Sequence, residues 1–146
     1  MPDNTDVKIQ ALSDKGNTLM DQGLYKSAVR LFEEAMALVP EPHLDQPTAT
    51  WLHAAIGDAR FLQNDYASAV DCFENAKQCP GGVGNPFVHL RLGQSYFELN
   101  QREKAANELA MAYMGDGLTV FEFEDPKYLD FLRTKIDVDD SAESSG

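Results

Sequence analysis

The chain has 146 residues, of which 43% are hydrophobic and 25% charged, so it is long enough to bury a core within one domain without disulfides or metals. Its 12 basic and 24 acidic residues give a net charge of −12, which argues against nucleic acid or an anionic membrane as a direct partner. No stretch approaches the roughly 18 apolar residues of a membrane span. The first residues lack the basic and apolar regions of a secretory signal, so we expect a cytoplasmic protein.

The first predicted hairpin follows a short polar terminus. Residues 1–6 contain few apolar side chains and are expected to be disordered. From Val7 onwards apolar residues recur with a helical period, and Gly23 interrupts this pattern before a second helix over Lys26–Val39. Pro40 then ends the hairpin, because proline cannot continue a helix.

The second predicted hairpin follows a connection rich in proline and acidic residues, Glu41–Pro47. Either Thr48 or Thr50 is expected to cap the third helix through its hydroxyl. A turn at Asn64-Asp65 leads into a fourth helix over Tyr66–Cys79, which ends before a proline and two glycines. The Gly-rich stretch lacks the Lys-Ser/Thr of a phosphate-binding loop, so we interpret it as a turn between repeats.

The third predicted hairpin begins after Asn85, with Pro86 suited to the first helical turn. Asn100 turns the chain into a sixth helix over Glu103–Met114. Residues 118–123 are predicted to be irregular or briefly extended.

Asp125-Pro126 is typical of a helix start, and we predict a last helix that caps the third hairpin over about 126–135. The tail, residues 137–146, is acidic and serine-rich and is expected to be disordered. Residues 116–146 contain nine acidic and three basic side chains, half of the net charge. This acidity either keeps the protein soluble or attracts a basic protein partner.

One spacing recurs three times and predicts how the helices pack. Each copy has a glycine, an alanine at +12, an aromatic residue or leucine at +16 and a second alanine at +19. The copies are Gly16, Ala28, Phe32, Ala35; Gly57, Ala69, Phe73, Ala76; and Gly93, Ala105, Leu109, Ala112. A small residue on one helix facing an apolar side chain on the next lets two antiparallel helices approach closely. Each hairpin then buries its apolar face against its neighbours.

The repeat resembles the tetratricopeptide repeat (TPR), a 34-residue helix-turn-helix unit. Leu92-Gly93-x-x-Tyr96 matches the first part of that pattern, Ala28-x-x-x-Phe32 and Ala69-x-x-x-Phe73 the second, and Pro40 its end. We therefore predict an all-α, TPR-like α-solenoid of three helical hairpins plus a C-terminal capping helix. The predicted domain spans residues 7–136, with repeats over about 9–42, 50–83 and 86–119.

In such a stack the first helix of each hairpin lines a concave groove. Positions about −6, −3, +1, +4 and +5 from each glycine are expected to face that groove. The predicted partner-binding residues are Asn17, Met20, Asp21, Trp51, Asp58, Phe61, Leu62, Phe87, Leu90, Gln94, Phe97 and Glu98. Trp51, Phe61 and Phe97 either anchor a partner or pack against neighbouring units, and Asp58 and Glu98 are either contacts or solvated surface groups.

No residue pattern indicates an enzyme, a metal site or a cofactor. His53 and His89 each lie four residues before a repeat glycine, a packing position, so we interpret both as structural. Cys72 and Cys79 lie seven residues apart on one predicted helix, which separates them by roughly 10 Å along its axis. That distance is too long for a disulfide, so both are expected to be free thiols.

A closer resemblance covers residues 51–135. The phrases Cys79-Pro80-Gly81-Gly82 with Gly84-Asn85-Pro86-Phe87, and Glu124-Asp125-Pro126-Lys127-Tyr128-Leu129-x-Phe131-Leu132, are similar to a family of small bacterial TPR proteins. Members of that family are found beside polymorphic toxins of the Rhs and contact-dependent type and resemble their immunity proteins. The resemblance implies an immunity protein that binds a cognate toxin domain. The acidic charge of the chain favours a basic toxin domain, and we expect a monomer or 1:1 complex with no small-molecule substrate.

The alternative is a TPR adaptor or co-chaperone that binds a peptide or a secretion-system component. Repeats that clamp peptides usually line the groove with Lys, Arg and Asn, which receive a terminal carboxylate. The groove inferred from the spacing contains no basic residue, so the sequence favours the immunity interpretation.

Overall fold

The computed structural model describes residues 4–139, which form seven α-helices and two 3-10 turns. The helices are α1 Thr5–Asp21, α2 Tyr25–Ala37, α3 Pro47–Leu62, α4 Tyr66–Gln78, α5 Pro86–Glu98, α6 Arg102–Asp116 and α7 Pro126–Arg133. The 3-10 turns are His43–Asp45 and Gly117–Phe121. Helices pair in chain order as α1 with α2, α3 with α4 and α5 with α6, and α2 packs on α3 as α4 packs on α5. The predicted all-α solenoid of three hairpins and a capping helix is confirmed.

The glycine of each repeat is the point where the two helices of a hairpin meet. A Cβ atom added to Gly16 would lie 2.5 Å from the Phe32 ring, and one on Gly57 would lie 2.7 Å from the Phe73 ring. In the third hairpin a Cβ on Gly93 would lie 2.6 Å from Leu109 Cγ. Since such distances are well inside van der Waals contact, any larger residue would force the helices apart.

The turns inside the hairpins share one geometry. Gly23, Asn64 and Asn100 have φ of 76°, 62° and 62°, the left-handed conformation that glycine and asparagine tolerate best. The next amide in each turn bonds back to a carbonyl of the preceding helix, as Leu24 does to Leu19 at 2.9 Å. The turns predicted at these positions are confirmed.

Several helix ends differ from the prediction. Helix α1 begins at Thr5, inside the stretch 1–6 that was expected to be disordered, while residues 1–3 lie outside the described part. The prediction that Thr48 or Thr50 caps α3 is wrong, because the helix begins at Pro47 and Thr50 lies in its interior. The Thr50 hydroxyl instead donates to the carbonyl of Pro80 at 2.7 Å and ties α3 to the loop after α4.

The ends of α5 and α7 match their sequence signals. Asn85 accepts from the amide of Phe87 at 3.0 Å, and Asp125 accepts from the amide of Lys127 at 3.0 Å. In both helices proline follows the cap. Residues 118–121, predicted to be irregular or extended, form part of a 3-10 turn. Of the predicted disordered tail, 137–139 carry no helix and 140–146 lie outside the described residues.

The apolar core runs the length of the stack. Its largest fully buried side chains include Phe32, Phe73, Leu92 and Leu109. At the C-terminal end, Tyr128 and Leu132 of α7 are buried in one cluster with Leu90 and Leu109, so α7 closes the stack. Cys72 is half-buried and Cys79 is buried, and both are free thiols, as predicted.

Candidate partner-binding groove

The predicted partner-binding residues are not equally accessible. The exposed ones are Asn17, Asp21, Trp51, Leu62 and Phe87. The half-buried ones are Met20, Asp58, Phe61, Phe97 and Glu98. Leu90 and Gln94 are 3% and 0% exposed, so they have no surface to offer a partner in this conformation. The accessible part of the set therefore lies mainly on α1, on α3 and at the start of α5.

Two aromatic side chains occupy equivalent positions at the starts of α3 and α5. Trp51 and Phe87 each precede the repeat glycine by six residues, and each is 38% exposed. The Phe87 ring also packs edge-to-face on Phe73, with centroids 5.9 Å apart. Half-exposed aromatic residues that pack on buried neighbours are typical anchors of protein interfaces, because they bury much apolar area with little loss of side-chain entropy.

Arg91 lies among these residues, although the spacing argument did not select it. Its Nε donates to Asp58 Oδ1 at 2.8 Å, which links α5 to α3. Its guanidinium carbon lies 4.5 Å from the centroid of the Phe61 ring and 5.1 Å from that of Phe87. The expectation that the groove contains no basic residue is therefore wrong. Arg91 lies two residues before the repeat glycine, a position outside the set that the spacing argument selected.

A second residue missed by the sequence argument comes from the segment between the second 3-10 turn and α7. Glu124 Oε1 accepts from Arg91 Nη1 at 2.6 Å and from Gln94 Nε2 at 2.7 Å. Arg91 Nη1 also donates to Gln94 Oε1 at 2.8 Å. Asp58, Arg91, Gln94 and Glu124 thus form one hydrogen-bonded cluster, which we call the Arg91 cluster.

Helix α7 contacts two further predicted groove residues of α5. Glu98 accepts from Tyr128 Oη at 2.9 Å and from Lys127 Nζ at 2.6 Å. The Phe97 ring packs edge-to-face on Tyr128 and on Phe131, with centroids 5.4 and 5.1 Å away. Burial, with the hydrogen bond to Glu98 next in importance, raises the pKa of the Tyr128 hydroxyl, so it donates throughout the physiological range. The capping helix therefore covers predicted groove residues of the third hairpin as well as closing the core.

A separate polar cluster holds the loop between α4 and α5. The amide of Gly84 donates to Nε2 of the fully buried His89 at 2.9 Å, which places the ring proton on Nδ1. That Nδ1 lies 2.6 Å from Glu108 Oε2, and Lys77 Nζ donates to Glu108 Oε1 at 2.7 Å. Gly82 fits only as glycine, since a Cβ there would lie 2.0 Å from the Ala76 carbonyl oxygen. His89 thus has a structural role, as predicted.

Two properties of residues 4–139 bear on other kinds of function. Within this range no group of three or more His, Cys, Asp or Glu side chains is arranged to hold a metal ion. No helix of the described chain is long and apolar enough to cross a bilayer.

Comparison with known proteins gives similarity in structure alone. No protein-family model matches the sequence, and no curated protein matches it. The first TPR domain of Spaghetti (RPAP3), solved with the HSP90 peptide SRMEEVD, has a TM-score of 0.66 at 19% identity, covering 95% of this chain and 97% of that one. The Sgt2 TPR domain of Aspergillus fumigatus gives 0.66 at 18%, covering 94% and 92%. The second TPR domain of human RPAP3, solved with the HSP70 peptide SGPTIEEVD, gives 0.66 at 16%, covering 89% and 96%. The chain therefore has the TPR fold.

Proposed function

We propose that this chain is a protein-interaction module, and that it acts as an immunity protein that binds and neutralises a cognate bacterial toxin domain. The observation that carries the interaction role is the exposure of apolar side chains at the predicted groove. Trp51 and Phe87 are each 38% exposed and Leu62 is 42% exposed, and the Phe87 ring centroid lies 5.1 Å from the guanidinium carbon of Arg91. Apolar anchors next to fixed charges suit a protein partner, since the anchors supply affinity and the charges set the register.

The charge of the chain supports a basic partner. A net charge of −12 produces a field that attracts a positively charged domain over a long range, and salt weakens that attraction. Many toxin domains that act on nucleic acid or nucleotides must carry basic surfaces, because their substrates are anionic. An acidic protein that covers such a surface competes directly with the substrate.

The assignment to a toxin rests on the sequence resemblance, and the residues that carry it have roles inside this fold. Glu124 holds Arg91, Asp125 caps α7, and Lys127 and Tyr128 bond to Glu98. These residues shape the C-terminal segment, and through it the groove. These residues therefore indicate how the C-terminal segment is held in place. They do not identify the partner, which needs its own test.

The proposed mechanism is steric and electrostatic and needs no catalytic group. The partner occupies the groove in a 1:1 complex in the cytoplasm, its basic side chains meet the carboxylates, and its active site becomes inaccessible to substrate. No cofactor and no small-molecule substrate takes part.

The test is neutralisation of the toxin domain encoded next to this chain. We expect co-expression of the wild-type protein to restore growth, and Trp51→Ala combined with Asp58→Lys to abolish protection, because it removes an anchor and inverts a groove charge. The matched control is Met114→Ala with Asp71→Lys, which makes the same kinds of change at exposed positions of α6 and α4. Full protection by the groove variant would exclude the groove as the inhibitory surface.

An adaptor that binds a short peptide is the second candidate, because two TPR domains of the same fold were solved with HSP70 and HSP90 peptides. Affinity capture from the native host distinguishes the two functions. One folded partner recovered in stoichiometric amount supports an immunity protein, whereas several weakly bound partners that share a peptide motif support an adaptor.

A further inference from the structure

The only arginine of the third hairpin's first helix is already bound by the protein's own carboxylates. Arg91 Nε bonds to Asp58 and its Nη1 bonds to Glu124, at 2.8 and 2.6 Å. Its side chain is 11% exposed, and two aromatic rings lie within 5.1 Å of the guanidinium carbon. A carboxylate from outside would have to displace one of two short, charge-assisted bonds to reach this cation.

The two carboxylates remain partly open to solvent although the arginine does not. The Asp58 side chain is 24% exposed and that of Glu124 is 19% exposed. Two carboxylates against one guanidinium leave a local charge of about −1, in a partly buried place where Coulomb interactions are stronger than in water. An incoming acidic group is repelled there, and an incoming ammonium or guanidinium is attracted.

An exposed aromatic residue is the chain neighbour of one of these carboxylates. Phe123, next to Glu124 in the chain, is 90% exposed. An exposed apolar side chain near a small acidic site adds nothing to the binding of a simple cation, because the ion has no apolar surface to bury. It suits a partner whose lysine or arginine stems, or neighbouring apolar residues, pack on it.

We propose that Asp58 and Glu124 determine which partner the groove accepts. By holding Arg91 they exclude an acidic peptide terminus, and their open oxygens receive a lysine or arginine side chain of a protein partner. The inference rests on the proposed function, since it names the chemistry of the partner that the groove binds. It separates this chain from the TPR domains of the same fold that were solved with peptides ending in Glu-Glu-Val-Asp.

The experiment compares two labelled peptides by fluorescence anisotropy at low salt. One is SRMEEVD, and the other replaces each of its acidic residues by lysine and has an amidated C terminus. The test variant is Asp58→Asn with Glu124→Gln, which keeps size and hydrogen-bonding oxygens while removing both charges. The control is Asp71→Asn with Glu122→Gln, the same charge change at exposed positions outside the cluster. Thermal unfolding by circular dichroism verifies that each variant is folded.

We expect the wild-type and control proteins to prefer the lysine peptide. In the test variant, affinity for the lysine peptide should fall by about tenfold or more and affinity for SRMEEVD should rise by about tenfold or more. Wild-type protein that binds neither peptide, or a test variant with unchanged preference, would overturn the proposal.

A measurement on the wild-type protein alone locates the binding. The Arg91 Nε–H signal in a nitrogen-15 correlation spectrum should shift when the lysine peptide binds, because that proton is bonded to Asp58. Binding that leaves the signal unchanged would also overturn the proposal. The toxin assay is independent of both measurements. A retained lysine preference without neutralisation would mean a different basic partner, and neutralisation without the preference would mean that the toxin binds elsewhere.

Discussion

Replacing His89 by alanine should destabilise the fold much more than the same change at His53, although both occupy the same position in successive repeats. His89 is fully buried and joins Gly84 to Glu108 through its two ring nitrogens. His53 is half-buried and has no hydrogen-bond partner among residues 4–139. The substitution at His89 therefore removes two hydrogen bonds and leaves a cavity in the core, whereas the substitution at His53 removes no hydrogen bond.

The expected loss of unfolding free energy in His89→Ala follows from how exposed each hydrogen-bond partner is. Gly84 is exposed, so water can replace the lost acceptor and the cost is about 1 kcal/mol. Glu108 is 8% exposed, and the loss of a hydrogen bond to its charged group costs about 1.5–3 kcal/mol, although Lys77 remains beside it. With a small cavity term of about 1 kcal/mol, the total loss is about 3.5–5 kcal/mol. That is a large part of the roughly 5–15 kcal/mol by which domains are stable.

Urea unfolding followed by far-ultraviolet circular dichroism and by the fluorescence of the single tryptophan measures this free energy. His53→Ala should cost less than about 1.5 kcal/mol. Combining His89→Ala with Glu108→Gln should cost less than the sum of the two single changes, by about 1 kcal/mol or more, because the groups share one bond. Equal losses at the two histidines, together with strict additivity, would refute the argument.

Three further outcomes are expected. Gly82→Ala should lower the unfolding free energy by about 2 kcal/mol or more in the same assay, because its Cβ would lie 2.0 Å from the Ala76 carbonyl oxygen, and an unchanged value would contradict this. Burial, and to a smaller extent nearby His43, lowers the pKa of His53 below 6.5, so the unfolded chain binds more protons and stability should fall as pH drops below about 6.5. His53→Gln should flatten that slope. Burial raises the pKa of Cys72 to about 11, so at about pH 8 its reaction with Ellman's reagent should be much slower in the folded protein than in urea, and equal rates would count against the assignment.

The hairpins and their turns could be predicted from the sequence because they depend on residues close in the chain. The 16 residues from the glycine to Phe32 or Phe73 run through the turn and into the second helix of the same hairpin, so the two residues face each other. Asn64 and Asn100 suit the left-handed turn conformation. The asparagine and aspartate that precede proline likewise mark the starts of α5 and α7.

The groove could be predicted only in part. The spacing argument selected Asp58, Phe61 and Phe87 as partner-binding residues. The structure places all three around Arg91, and their role in binding stays a prediction. The spacing argument missed Arg91 because it assumed a narrow stripe of groove-facing positions. It could not select Glu124, which lies 33 residues away in a segment with no regular period.

The sequence by itself determined the all-α class, the three hairpins, the packing of glycine against larger side chains and the acidic character of the chain. Those properties follow from helical periodicity, local turn conformations and formal charge. Tertiary structure alone decided that Glu124 and Asp58 share Arg91, and that Leu90 and Gln94 are covered. The chain contains 24 acidic residues and 12 basic ones, so formal charge alone does not tell which carboxylate pairs with which cation. The packing of α3 beside α5 brings Asp58 to Arg91, and the path of the segment before α7 brings Glu124 to the same guanidinium.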